Sequence, residues 1–327
     1  MLMMLVFLVI MYSFGLGVMV FSGDLFNLWL GMETMSLSVI FFCVMTKFSF
    51  LGEMSNKSLG LLKYFFIQVI TGGFVLLFFV VGMGGWVLFV ILFLKMGVFP
   101  GHSWVFDVYG VLSYIECFVL SVFPKFGPLL ILYMNVNSEM AFVSFCGVSS
   151  VLFGGFLGLN YTDFRMIMGG SSVMNMGWLL ISCGGGALVL FGSYLLYVLV
   201  LLTFFLFLNF WGVKLFMVGT SMSGKILMSF VLMGLLGMPL TLAFIMKLLI
   251  MMGSLLNYFY VLLFILILGA WGVGLYSRVV NFLVGYEGVV GGLGMGVCGF
   301  GGFKILLGSF FAIVLLVGVV WGIIFLY

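Results

Sequence analysis

The amino-acid sequence predicts an all-α polytopic membrane protein with about eleven transmembrane helices. Three observations lead to this fold class. Hydrophobic residues make up 66% of the 327 residues and charged residues only 6%, whereas an ordinary soluble domain has roughly 25% charged residues. The apolar residues form long runs, which favours helices over the alternating strands of a membrane barrel. The charged residues fall mainly between these runs, as loops at a membrane surface require.

The helices are placed between the polar interruptions, since a helix that crosses a bilayer needs about 20 apolar residues. They are predicted near residues 1–22, 25–46, 59–80, 85–106, 110–134, 140–158, 166–184, 187–210, 226–250, 254–277 and 303–326. Residues 1–134 and 140–277 then form two blocks of five helices each. Because five is odd, the second block is expected to be inverted relative to the first. A glycine-rich linker at 278–302 precedes the C-terminal helix at 303–327.

Positive charges give the predicted orientation of these helices. The Lys and Arg residues outside helix centres all fall at loops on one side of the membrane: Lys47, Lys57, Lys63, Arg165, Lys214, Lys225, Arg278 and Lys304. The loops on the other side carry only the acids Asp24 and Glu139. Loops rich in Lys and Arg face the cytoplasm or matrix. The N-terminus is therefore predicted on that side and the C-terminus on the opposite side.

Composition also argues against several classes of function. The net charge of +3 forms no basic patch, so nucleic-acid binding has no electrostatic basis. Five scattered cysteines without a CxxC spacing and a single histidine predict no disulfide framework, metal, haem or iron–sulfur site. Gly294–Gly299 matches a dinucleotide fingerprint only formally, because no strand precedes it. The apolar start is interpreted as a helix without a cleavable leader, and the Phe, Gly and Met bias is a weak indication of a mitochondrial gene.

Four charged residues lie well inside predicted helices: Glu33, Lys95, Lys125 and Lys247. A charge at the membrane centre is unfavourable by about 2.5–3.5 kcal/mol on insertion scales, so each requires a reason. Snorkelling or a structural ion pair is one interpretation, although a buried Glu–Lys pair is an inefficient way to stabilise a fold. Burial disfavours the charged form of a lysine and a nearby carboxylate favours it. A buried lysine beside a glutamate can thus hold or release a proton, which favours an ion pathway.

Two of the four prolines point to the same pathway. Pro100 interrupts predicted helix 4 after Lys95, and Pro239 interrupts predicted helix 9 before Lys247. Proline removes a backbone hydrogen bond and breaks a helix, and broken helices at membrane depth are tolerated where they line a wet cavity. Helices 4 and 9 hold corresponding positions in the two blocks, which is typical of transport paths in inverted repeats.

Further polar residues are candidate accessory members of this pathway. His102 follows the Pro100 break and suits either an interfacial histidine or a proton shuttle. Glu116 lies about one and a half turns into predicted helix 5, where it serves either the pathway or the headgroup region. Asn175 is placed to hold a water molecule. Asp107 is expected to be a loop or helix-cap acid.

Short motifs resemble those of the family of subunit 2 of mitochondrial NADH dehydrogenase, respiratory complex I. They occur in order along the chain: Leu30–Glu33, similar to W-x-G-x-E; Lys63–Gln68, similar to K-Y-F-x-x-Q; Lys95–Val105, similar to K-x-G-x-x-P-x-H-x-W-x; Gly158–Arg165 and Ser171–Trp178, similar to G-L-x-x-x-x-x-R and S-S-x-x-x-M-G-W; and Gly237–Lys247, similar to G-x-P-P-L-x-G-F-x-x-K. Each motif is short, but the ordered set is specific.

The resemblance implies an antiporter-like subunit with inverted five-helix repeats, in the shortened animal form that lacks three N-terminal helices. It implies proton translocation coupled to NADH:ubiquinone electron transfer that other subunits carry out. NADH, FMN, iron–sulfur clusters and ubiquinone would bind to those subunits and no cofactor to this chain. The expected partners are other membrane-arm subunits, including neighbouring antiporter-like and small core subunits, together with lipids. The expected location is the mitochondrial inner membrane, with the N-terminus in the matrix and the C-terminus in the intermembrane space.

The resemblance also assigns roles by position. Glu33 is similar to the acid that pairs with the lysine of the first broken helix, here Lys95. Lys125 resembles the central lysine of the family, and Lys247 resembles the lysine near the outward exit.

The chain departs from the family pattern at three places. Val122–Pro124 replaces T-W-Q before the central lysine, Asn175 stands where a histidine is usual, and Pro239 is one proline where two are usual. Two rival functions are a stand-alone cation/proton antiporter and a structural membrane-arm subunit without a proton path of its own. Stand-alone antiporters usually keep the three extra N-terminal helices. A purely structural subunit would be expected to lose its buried charged residues by mutation, because their insertion into the membrane is energetically unfavourable.

Overall fold

The structure, a computed structural model, describes residues 2–21, 24–46, 54–82, 85–136, 139–161, 163–211 and 241–254. Within these ranges the fold is all-helical, with short connections. Six of the described helices are long and apolar enough to cross a membrane, and three shorter apolar helices accompany them. The predicted helices at 254–277 and 303–326, the linker at 278–302 and the break at Pro239 lie outside the described residues.

The helices are numbered in chain order. They are α1 Leu2–Phe21, α2 Leu25–Met45, α3 Met54–Val81, α4 Gly85–Met96, α5 Ser103–Tyr109, α6 Tyr114–Asn135, α7 Met140–Leu159, α8 Phe164–Ser182, α9 Ala187–Trp211 and α10 Leu242–Ser254. A 3₁₀ turn at Cys183–Gly185 follows α8. Most bounds agree with the predicted ones to within about two residues, the usual uncertainty of helix ends. The start of α3 is earlier than predicted, because hydropathy assigns its polar first turn to the loop.

The predicted break at Pro100 is present, and it divides one predicted helix into α4 and α5. Gly97 ends α4 with a φ of +73°, a left-handed conformation that favours glycine. The backbone N–H of Val98 then donates to Phe93 O at 2.9 Å. Leu94 O accepts from the backbone N–H of Gly97 at 3.3 Å and also from the indole N–H of Trp104 at 3.0 Å. Local sequence thus ends the helix, and a side chain from α5 closes the gap.

The first turn of α6 differs from the prediction. The helix begins at Tyr114 rather than near residue 110, because Ser113 is its N-cap and Glu116 belongs to a capping box. The backbone N–H of Ser113 donates to Glu116 Oε2 at 2.7 Å. Glu116 therefore lies in the first turn of the helix and not one and a half turns into it.

Two helices form the centre of the described bundle. Nearly all of α8 is buried, and α6 packs against α2, α4, α8 and α9. Between α7 and α8 the backbones touch, since a Cβ at Gly154 would lie 2.8 Å from Gly170 O. Small residues permit this close approach in membrane helices, where packing rather than the hydrophobic effect holds helices together.

The outer surface of the bundle is apolar. Large hydrophobic residues are exposed along the outer faces of α1, α3 and α9, among them Phe14, Phe66, Phe74, Val80, Leu188 and Leu206. An apolar surface of this extent is unusual for a protein in water. It is the surface that a lipid environment requires.

Candidate functional site

The centre of the site is an ion pair between α2 and the end of α4. The ammonium of Lys95 pairs with Glu33 Oε1, and the two side chains are 0% and 15% exposed. Lys95 lies in the last turn of α4, immediately before the break, where the negative end of the helix dipole favours a cation. The structure thus brings together two residues that are 62 positions apart.

Helix α3 packs directly against this ion pair. Gly72 lies directly against the carboxylate, so that a Cβ at this position would lie 2.6 Å from Glu33 Cδ. The indole N–H of Trp29 donates to Gly72 O at 2.7 Å and holds α2 and α3 together at this level. The Gln68 side chain donates to Lys95 O at 3.2 Å, which satisfies a second carbonyl of the broken helix.

Buried polar atoms beside the pair have no protein partner. Tyr64 Oη and Gln68 Oε1 belong to fully buried residues and form no hydrogen bond with any of the described residues. Tyr64 is close enough to Glu33 and Tyr109 to interact electrostatically with both. Buried polar groups without protein partners are normally satisfied by ordered water. This side of the ion pair is therefore suited to hold water molecules.

Lys125 lies on α6 in a different environment. Its side chain is buried, and its ammonium nitrogen has no hydrogen-bond partner among the residues that the structure describes. Pro124 and Pro128 lie in the same helix, so the carbonyl groups of Leu120 and Pro124 lack their usual intrahelical donor. A buried ammonium with three unsatisfied donors can bind water or release its proton.

Lys247 lies on α10 and contacts the central helix α8. Its ammonium is 5.7 Å from the centroid of the Trp178 ring, within the range of a cation–π interaction. The indole N–H of Trp178 is buried and has no hydrogen-bond partner in the described part of the chain. Asn175 precedes Trp178 by one helical turn and is also buried. Helix α6, which carries Lys125, packs against α2 and α4, which carry Glu33 and Lys95, and against α8, which Lys247 contacts through Trp178.

His102 and Asp107 lie on α5 or at its start and do not contact the Glu33–Lys95 pair in any hydrogen bond or salt bridge of the described residues. His102 is half-buried at the start of α5, where its ring stacks with Phe99 and Phe153 at centroid distances of 6.0 and 5.6 Å. Asp107 lies within α5 rather than in a loop, and it pairs with Lys63 at 2.9 Å in a largely exposed salt bridge.

Sequence reasoning did not find several of these polar residues. Lys57 is interpreted from sequence only as a topology signal, but it forms a largely buried ion pair with Glu116 at 2.7 Å. Tyr64 and Tyr109 are fully buried with unpartnered hydroxyl groups in the described bundle. Tyrosines inside apolar helices could have indicated these polar positions from sequence, because a buried Tyr hydroxyl usually requires a hydrogen-bond partner. No group of three or more His, Cys, Asp or Glu residues in the described ranges could hold a metal ion.

Comparisons with known proteins show which family and which folds the chain resembles. Residues 79–271 match the family described as "NADH:quinone oxidoreductase/Mrp antiporter, TM". Chain 2 of the NADH-ubiquinone oxidoreductase of Albinaria caerulea is 32% identical over 213 residues, which are 59% of this chain and 67% of that one. A chain of respiratory complex I from Thermus thermophilus with bound aureothin has a TM-score of 0.70 at 19% identity, covering 84% of this chain and 69% of that one. A chain of the Mrp complex from Dietzia sp. DQ12-45-1b has a TM-score of 0.64 at 16% identity and covers 84% and 58%.

Proposed function

The chain belongs to the NADH:quinone oxidoreductase/Mrp antiporter transmembrane family, and we propose that it is a proton-translocating subunit in the membrane arm of respiratory complex I. The similarity to chain 2 of an NADH-ubiquinone oxidoreductase confirms the resemblance given by the sequence motifs. The proposed relay consists of Glu33, Lys95, Lys125 and Lys247, in that order along the chain.

The buried pair of Glu33 and Lys95 is the observation that carries this proposal. It joins two charges at the end of a broken helix, where neighbouring polar side-chain atoms lack partners among the described residues. Replacing such a pair by apolar residues is often neutral or stabilising, so its presence is weakly explained by stability. A movable carboxylate changes whether the neighbouring lysine holds its proton. The pair therefore has the properties of a switch.

The lysines beyond the ion pair accept the proton in turn and carry it further into the bundle. When Glu33 moves away, the isolated ammonium of Lys95 is disfavoured by burial and releases its proton toward α6. Lys125, without a protein partner among the described residues, accepts the proton through water. Asn175 and Trp178 on α8 lie between α6 and Lys247, which then passes the proton onward.

The redox chemistry belongs to other subunits in this proposal. NADH, FMN, iron–sulfur clusters and ubiquinone bind elsewhere in the complex, and this chain contributes to the enzyme as a pump module. Its neighbours are other antiporter-like and small core subunits of the membrane arm, with lipids around the apolar exterior. The location is the mitochondrial inner membrane, with the N-terminus in the matrix.

A lysine substitution in the assembled complex tests the relay. Lys125→Met removes the proton site and keeps much of the side-chain volume, so we expect fewer protons released per NADH oxidised while the complex still assembles. The measurement is proton release and NADH oxidation in reconstituted vesicles. Lys63→Met is a matched control, because Lys63 belongs to an exposed salt bridge. An unchanged proton yield in the Lys125→Met complex refutes the relay and favours the structural-subunit alternative.

The similarity to a chain of the Mrp complex keeps a stand-alone cation/proton antiporter as the second candidate. A native gel of gently solubilised membranes, stained for NADH dehydrogenase activity and probed for this chain by mass spectrometry, separates the two. Migration with the large active band supports membership in complex I. Migration only as a small, inactive species contradicts it and favours the antiporter.

A further inference from the structure

A second buried carboxylate lies at one end of the bundle, away from the pair of Glu33 and Lys95. The side chain of Glu116 is 1% exposed, and its Oε1 accepts a 2.7 Å bond from the ammonium of Lys57, whose side chain is 18% exposed. Thr46 also donates to Oε1, and the backbone N–H of Ser113 donates to Oε2. The carboxylate is thus held at the junction of α2, α3 and α6, with Lys57 between it and the outside.

The positive charges identify the side that this end of the bundle faces. Lys57, Lys63 and Arg165 lie at this end, and Arg165 donates to Leu112 O at 2.8 Å just before α6. By the positive-inside rule, the end that carries the Lys and Arg residues faces the matrix or cytoplasm. Glu116 is therefore a buried acid just inside the aqueous phase from which a pump of this orientation takes up protons.

A line of polar groups leads from Glu116 into the bundle. On α6 the residues Cys117, Ser121 and Lys125 follow each other at intervals of four and therefore share one face. Ser121 lies close to the hydroxyl of Tyr109, which is fully buried yet forms no hydrogen bond with the described residues. Glu116 and Lys125 are about 13 Å apart along the helix axis, too far for direct proton transfer.

The buried hydroxyl of Tyr109, which lies beside two serine hydroxyl groups, is the observation that separates a pathway from a purely structural ion pair. A salt bridge that only holds helices together needs no polar atoms behind it. Here Tyr109 receives close approaches from Ser121 on α6 and Ser172 on α8. Both serines already donate to carbonyl groups of their own helices, at 2.7 and 2.9 Å. Their oxygen atoms remain available as acceptors, so the two serines and Tyr109 form a buried polar cluster of the kind that binds ordered water.

We infer that Glu116 is the proton acceptor on the matrix-facing side, that Lys57 is its movable cover, and that Tyr109 conducts the proton onward to Lys125. When the ammonium of Lys57 swings toward the exterior, the Glu116 carboxylate takes one proton from the aqueous phase and becomes a carboxylic acid. That proton passes through water at Tyr109 to the neutral amine of Lys125, and the carboxylate is restored. The charged groups that face Glu116 in this cycle are Lys57 on α3 and, through Cys117, Arg165 on α8.

This inference rests on the proposed relay. Failure of the Glu116 pathway and failure of the relay through Lys125 give different results in the test. Glu116→Gln keeps the hydrogen bond from Ser113 but cannot take up a proton. Tyr109→Phe removes only a hydroxyl that the described residues leave unpartnered, so it should not disturb assembly. Both variants are made in the assembled complex and reconstituted in vesicles, with Asp107→Asn, an exposed acid, as the matched control.

We expect Glu116→Gln to lose the same share of protons per NADH oxidised that Lys125→Met loses. Its remaining yield should rise when the pH on the Lys57 side is lowered, a response that a structural defect would not produce. Tyr109→Phe should lower the yield and increase the solvent deuterium isotope effect on pumping, and Asp107→Asn should do neither. Full proton yield in Tyr109→Phe, or in an assembled Glu116→Gln complex, overturns the inference. If Lys125→Met also pumps fully, the proposed relay itself is wrong.

Discussion

Gly72 provides a sharp test of the ion pair, because its missing side chain is what makes room for the Glu33 carboxylate. In Gly72→Ala the added Cβ would lie 2.6 Å from Glu33 Cδ and 3.1 Å from Oε2. Carbon atoms in contact are normally about 3.5–4.0 Å apart, so the carboxylate must move by roughly 1 Å. It already touches the Lys95 ammonium, so a displacement of this size lengthens or bends the ion pair.

The expected effect of this displacement follows from Coulomb's law. Lengthening a charge pair from about 3 Å to about 4 Å at an effective dielectric constant of about 20 weakens it from about 5.5 to about 4.1 kcal/mol. The difference of about 1.4 kcal/mol corresponds to about a tenfold change in the pairing equilibrium. We therefore expect the Gly72→Ala complex to oxidise NADH but to release fewer protons per NADH in reconstituted vesicles.

The neighbouring glycine supplies the control for this prediction. A Cβ at Gly73 would meet nothing within 4 Å, and both substitutions gain the same helix propensity, about 0.5–1 kcal/mol. Gly73→Ala should therefore pump normally. If Gly72→Ala and Gly73→Ala show the same proton yield, the contact between Gly72 and Glu33 does not set the geometry of the switch, and the reasoning is refuted.

Two further substitutions test the packing and charge balance of the same region. Glu33→Gln leaves the buried ammonium of Lys95 without its charged partner and should destabilise the protein by about 3–5 kcal/mol. In a thermal-inactivation measurement, the double variant Glu33→Gln/Lys95→Met should recover most of this lost stability. Equal losses of stability in the single and double variants would contradict a paired charge. Gly154→Ala places a Cβ 2.8 Å from Gly170 O and should cost about 1–3 kcal/mol by forcing α7 and α8 apart. Its control is Gly17→Ala, where a Cβ meets nothing within 4 Å, and a matching inactivation temperature would show that α7 and α8 separate without cost.

Features that depend on a short stretch of chain could be predicted from sequence. The break before α5 follows from Gly97 and Pro100, which act on the backbone within a few residues of their own position. The start of α6 was placed too early because hydropathy does not register a cap. The Ser113 and Glu116 pattern was visible in the sequence and would have corrected it.

The partners of the charged residues were harder to predict. The pairing of Glu33 with Lys95 was expected only through the family resemblance. The close contact between Gly72 and the Glu33 carboxylate was not expected at all. Lys57 is 59 positions from Glu116, and in the sequence it is one of several loop cations. Which of these lysines turns inward depends on how α3 packs beside α6, and no local pattern encodes that rotation.

The sequence by itself determined that this chain is a bundle of membrane helices with a few costly buried charges and a proline break beside one of them. Those properties follow from transfer free energies and backbone sterics, which are local to each segment. Only the tertiary structure decided that Lys95 is paired, that Lys125 has no described partner, and that Glu116 lies beneath Lys57. These outcomes depend on the depth and rotation of each helix against its neighbours, and at Glu33 the close contact with Gly72 is part of that packing.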